Sequence, residues 1–138
     1  MQSSNKAFVA LAFSIIAVMY GIVYLQNLHL GEPLTEFYLI GSAKGYPSNL
    51  EKGELGRVIV GVVNHEFEDA EYKLAIVHEN ETLREQWITL RNGEKWEEEI
   101  KFKLNEAGKH KLEFLLYRDE KPYRELHLWM NVSGYESQ

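Results

Sequence analysis

Five histidines, His29, His65, His78, His110 and His127, stand in a chain without cysteine. Any transition-metal site would therefore be built from imidazoles and carboxylates. None of the five has a second histidine two or four residues away, the spacings that put two side chains on one face of a strand or helix. The densest local group of ligand types is Asn64-His65-Glu66 with Glu68 and Asp69. A loop of carboxylates with one imidazole can hold zinc or a hard cation, but the Asp-x-Asp-x-Asp-Gly spacing of a calcium loop is absent. The plainer chemistry is that Asn64 and Asp69 bond their own turn backbone while His65 packs or caps. The sequence leads us to expect no metal and no cofactor.

The run Glu97-Glu98-Glu99 invites a paired-acid reading, which needs two carboxyl groups about 5–9.5 Å apart in a cleft. On a strand, Glu97 and Glu99 share a face with Lys101 and Lys103, so they read as a solvated charged ladder with cross-strand pairing. Ser42, Ser48 and Ser133 fall in turns without a nucleophile-elbow setting, and no phosphate loop or dinucleotide fingerprint is present. We expect no enzyme activity. Trp87, Trp96 and Trp129 could line a carbohydrate-binding face, although such residues more often fill a core or a sheet edge. Two sequons, Asn80-Glu81-Thr82 and Asn131-Val132-Ser133, make Asn80 and Asn131 acceptors for glycosylation. Asn80 lies in a turn and is the more accessible of the two.

The elements that would carry these residues have the two-residue period of strands. Seven are expected, over residues 35–41, 57–64, 72–77, 86–90, 96–104, 111–116 and 123–132. Turn signals separate them every 8–14 residues or so. Arg57 to Asn64 is β-branched on both faces and reads as a central strand. Asn92-Gly93 has the composition of a two-residue type I′ hairpin turn. In the strand that follows, Glu98 falls on the apolar face with Trp96, Ile100, Phe102 and Leu104. Val60, Val62, Leu74, Ile76, Phe102, Phe114 and Leu128 are the expected core. The pattern is all-β: a seven-stranded antiparallel immunoglobulin/fibronectin-like sandwich, held by packing alone because no disulfide can form.

Ahead of these strands, Ala7 to Leu25 is nineteen residues without a charge. A helix of that length spans roughly 28 Å, close to the hydrocarbon thickness of a bilayer. It reads as one N-terminal transmembrane helix and an uncleaved signal anchor, since no small-x-small site follows it. The expected organisation is a cytoplasmic tail over 1–6, the helix over 7–26, a linker over 27–34, the β-domain over 35–132 and a flexible tail over 133–138. Lys6 precedes the helix and two glutamates follow it, so positive charge lies on the tail side and the domain is expected outside the cell membrane. The net charge is −6. Apart from Lys6 all of it lies beyond the helix, which disfavours nucleic acid and anionic lipid as partners.

Phe37-Tyr38-Leu39-Ile40-Gly41, Tyr46-Pro47-Ser48-Asn49-Leu50, Gly53-Glu54 and Val58 to Glu66 resemble, in order and spacing, the C-terminal domain of DUF1616, an archaeal membrane-protein family of unknown function. Leu112 to Tyr117 and Pro122 to Trp129 are similar to that family too. The resemblance covers about residues 35–132. It implies an archaeal source and an extracytoplasmic β-domain. It brings no catalytic residue, and larger members carry several membrane helices where this chain has one.

The expected function is that of an interaction or accessory module at the cell envelope, anchored by a single span and reaching a membrane-protein or envelope partner. The His65–Asp69 loop and the row Tyr123, Glu125, His127 and Trp129 are the candidate surfaces, with His65, Glu66, Tyr123, His127 and Trp129 as contact residues. One alternative is a subunit of a pilin-like filament, because Lys6-Ala7 before Phe8 faintly resembles a pilin processing site. A second is an enzyme acting on an envelope glycan.

Overall fold

The computed structural model describes residues 2–27, 31–43 and 45–136, so His29 lies outside the described residues. The chain divides into two units, Met1–Glu32 and Pro33–Gln138. The first is one helix, α1 (Gln2–Asn27). It takes in the whole uncharged run, but it begins at Gln2, within the expected tail and five residues before the expected start, and ends one residue past the expected boundary. Phe8, Leu11, Phe13 and Tyr20 are exposed on it, and Ser14 satisfies its hydroxyl by donating to the Ala10 carbonyl at 3.1 Å. Among the described residues no helix is long and apolar enough to cross a membrane. Residue 21 and the side chains of residues 2–4 and 23–27 fall outside that description.

The second unit has, among the described residues, eight strands: β1 (Leu34–Gly41), β2 (Asn49–Lys52), β3 (Leu55–His65), β4 (Ala70–His78), β5 (Glu81–Leu90), β6 (Lys95–Lys103), β7 (Gly108–Arg118) and β8 (Lys121–Glu136). They form a three-stranded sheet, β1-β3-β6, and a five-stranded sheet, β2-β8-β7-β4-β5. The all-β sandwich reading holds and the count of seven does not. The additional strand, β2, has four residues, too few to show a period. Only Leu50 of it is buried, and it exists because it lies beside β8. That pairing is parallel, so the domain is not wholly antiparallel. The tail expected to be flexible over 133–138 is strand through Glu136, with residues 137 and 138 outside the described ones.

β3 is central, as its composition predicts, with β1 on one side and β6 on the other. Val58, Val60 and Val62 meet Tyr72, Leu74, Ile76, Leu112, Phe114 and Leu116 across the sandwich. Of the seven expected core residues, six are buried, and Leu128 packs against the cluster half-buried. On the outer face of β3, Gly61 sits between Tyr38 and Glu97 in one cross-strand row. A Cβ there would stand 2.1 Å from the Tyr38 ring, so only glycine leaves room for the ring to lie over the strand.

Asn92-Gly93 does not make a hairpin. β5 and β6 belong to different sheets, so the segment carries the chain across the sandwich. Gly93 has φ 85° and Asn92 lies outside the positive-φ set, whereas a type I′ turn needs both. The two-residue hairpins with paired positive φ are Glu79-Asn80 between β4 and β5 (48° and 69°) and Asp119-Glu120 between β7 and β8 (50° and 66°). Both fall where the sequence signals a turn, but neither contains glycine, so composition does not mark them as the two-residue hairpins with paired positive φ.

Candidate functional site

β3 ends at His65, and the next residue turns inward instead of out. Asn64 is fully buried and fixes that turn. Its Nδ2 donates to the carbonyls of Glu68 (2.8 Å) and Leu90 (2.9 Å), and its Oδ1 accepts the Glu66 amide at 2.8 Å. This is the self-bonding turn the sequence suggests for Asn64. His65 stays partly exposed, 3.3 Å from Glu36.

Glu66 is only 7% exposed. Its Oε1 accepts from Thr35 Oγ1 at 2.8 Å and from the Tyr123 hydroxyl, and its Oε2 lies 3.1 Å from the Arg118 guanidinium. Thr35 Oγ1 is also 2.7 Å from the Tyr72 hydroxyl. β1, β7 and β8 thus converge on one carboxylate, and β4 joins the network through Tyr72. Burial pushes the Glu66 carboxyl up, but the Tyr123 and Thr35 hydrogen bonds and the Arg118 charge outweigh it and hold the group below the ordinary range. Burial raises the Tyr123 phenol, and donating a hydrogen bond to the Glu66 carboxylate raises it further. Arg118 continues outward to Glu68 at 2.7 Å, and Arg124 stacks 4.2 Å from the Tyr123 ring centre. Two of the five expected contact residues, Glu66 and Tyr123, are therefore committed to an internal network. Tyr123 turns in because β8 is irregular there: Leu116 pairs with Arg124 and Tyr117 with Pro122, leaving Tyr123 between them.

The other expected surface residues do face outward. On the outer face of the five-stranded sheet Trp129 is 47% exposed, with His127 edge-on at 6.3 Å and Lys109 Nζ 4.6 Å above its ring. On edge strand β5, Trp87 is 53% exposed, and Lys73 lies between it and Tyr117, at 5.7 and 4.7 Å from their rings. The lysines lay their stems along apolar rings and keep their charge in water. Trp96 is half-buried against the core. Glu97 accepts from Tyr38 at 2.7 Å, Glu99 pairs with Arg57 at 2.9 Å, and Glu98 pairs with Arg84 at 2.8 Å. Glu97 and Glu99 thus make cross-strand pairs, as the ladder reading has it, while Glu98, on the other face, pairs with a residue of the other sheet. Asn80 is exposed in its hairpin turn. Asn131 is exposed but held between Lys109 of β7 and Asn49 of β2.

One grouping lies beyond local spacing. His78 and His110 approach to 2.9 Å between Nε2 and Nδ1, beside Glu79. On β4 and β7 His78 pairs with Leu112, which brings His110, two residues earlier, onto the same face. Only the pairing register carries that signal.

A family model described as "Domain of unknown function (DUF1616)" matches residues 29–131. No curated protein matches the chain in sequence. Among solved structures, the chain is similar to the CARDB domain of a Pyrococcus furiosus protein, crystallised in complex with di-metal ions. That likeness has 12% identity and a TM-score of 0.62, over 77% of this chain and 93% of that one. A beta-glucosidase from Listeria innocua is similar at 15% identity and a TM-score of 0.53, over 80% of this chain but 17% of the enzyme. A complex of zinc 2-glycoprotein with prolactin-inducible protein, from human seminal plasma, is similar at 7% identity and a TM-score of 0.52. At these identities the likeness shows the fold alone.

Proposed function

This chain belongs to the family of the domain of unknown function DUF1616, and we propose that it is a binding module: a β-sandwich carried outside the cell by a single-span anchor, holding a neighbouring membrane protein or envelope component. The observation that carries the binding role is the outer face of the five-stranded sheet. Two tryptophans stand about half exposed there, each with lysine over or beside its ring. Exposed tryptophans are among the side chains that anchor protein interfaces. A rigid sandwich presents them without moving. The uncharged run Ala7–Leu25, helical throughout in α1, supports the anchor. The charge asymmetry about it supports a domain outside.

Two measurements test the reading. Protease added to intact cells should remove the β-domain, and protection of residues 35–132 would refute the topology. Crosslinking in native membranes should give a partner adduct that Trp87→Ala with Trp129→Ala loses while the domain stays folded. Unchanged adducts in that double variant would refute the surface.

A further inference from the structure

We propose that His78, Glu79 and His110 form a binding site for a divalent transition-metal ion of the zinc class. The argument is geometric. Three ligand atoms converge: His78 Nε2 and His110 Nδ1 at 2.9 Å, His110 Nδ1 and Glu79 Oε1 at 3.5 Å, and His78 Nε2 and Glu79 Oε1 at 3.7 Å. Tetrahedral zinc with bonds of about 2.05 Å has ligand–ligand edges of about 3.3 Å. The three separations straddle that value, so small side-chain adjustments place one ion equidistant from all three atoms.

The tautomer of the buried ring is also set. His110 Nε2 lies 2.7 Å from the Glu106 carbonyl, which can only accept. Nε2 therefore carries the hydrogen, and Nδ1 of the neutral ring turns a lone pair toward His78 and Glu79. A ligating histidine whose other nitrogen donates to a backbone carbonyl is the usual outer support of a metal site. Burial is graded in the same sense. The side chains of His110, His78 and Glu79 are 5%, 17% and 57% exposed, giving a buried nitrogen, a half-covered one and a carboxylate at the mouth. His78 and His110 also line a cleft with Glu81, Leu83, Lys103 and Asn105. Two imidazoles with one carboxylate suit zinc, cobalt or nickel and disfavour magnesium and calcium, which prefer oxygen.

The probe is Co²⁺, with Zn²⁺ as competitor, titrated into the untagged full chain in mild detergent. We expect one saturable equivalent with the visible bands of a low-coordinate cobalt site, displaced by Zn²⁺ and unaffected by Mg²⁺ or Ca²⁺. Loss of an outer supporting partner costs roughly 10- to 100-fold in affinity, so loss of a direct ligand should reach the top of that range. His78→Gln should weaken binding by about 100-fold or more, and Glu79→Gln by at least about 10-fold. Both should keep the tryptophan-monitored melt of the parent in chelator. Should His78→Gln fail to fold, the exposed Glu79→Gln decides. A wild-type chain that takes up no stoichiometric Co²⁺, or variants that bind like wild type, would mean that the histidine pair is a structural hydrogen bond, and the proposal falls.

Discussion

Replacing Glu66 by alanine removes the carboxylate on which Thr35, Tyr123 and Arg118 converge. Breaking a buried ion pair by deleting one partner typically costs about 3–5 kcal/mol, because the remaining charge stays buried and unpaired. Arg118 keeps Glu68 at 2.7 Å, whose side chain is 68% exposed, so the lower end, about 3 kcal/mol, is the fitting figure. For a domain of this size each kcal/mol lowers Tm by about 4–8 °C, giving a fall of roughly 12–24 °C. Glu66→Gln keeps an acceptor for the two hydroxyls and loses only the ion pair, and should cost about half as much. All three tryptophans lie in the β-domain, so fluorescence melting of the full chain reports that unit alone. The pH dependence has a definite sign. The folded carboxyl ionises at lower pH than the unfolded one. Its contribution is therefore complete above the ordinary carboxylate range and fades as pH falls through and below it. The Tm gap between wild type and Glu66→Gln should accordingly hold above the ordinary carboxylate range and shrink as pH falls through and below it. A Glu66→Ala protein melting within about 4 °C of wild type would place the loss under 1 kcal/mol and refute the network as a stabilising unit.

Two further outcomes test the packing. Phe114→Ala, at the fully buried centre of β7, should cost about 3–5 kcal/mol in the same melt, and a melt matching wild type would show the strand register to be wrong. Gly61→Ala drives a methyl into the Tyr38 ring and should cost about 1–3 kcal/mol. Adding Tyr38→Ala should recover part of that loss, and no recovery would show that the ring is not what excludes the side chain.

The sequence alone determined what depends on local period and composition. Alternating apolar residues specify β4, β6 and β7, because a strand with one face in the core must repeat every two residues, and a β-branched run on both faces specifies the central β3; together they give six buried core positions. The uncharged run specifies α1. The contact between Asn64 and its own turn was legible too, because the partners are adjacent in the chain. What needed the tertiary structure is whatever joins distant residues. β2 is a strand only because β8 lies beside it. Asn92-Gly93 has hairpin composition, yet the chain crosses between sheets there, since sheet membership is settled by which strands pair and not by the turn. Glu66 looks like a surface loop acid until the irregularity in β8 turns Tyr123 inward and β1 brings Thr35 across. His78 and His110, thirty-two residues apart, meet only through the register of β4 against β7. Side-chain chemistry is written in the sequence, but proximity between strands is set by hydrogen-bond register and sheet packing, which no local spacing encodes.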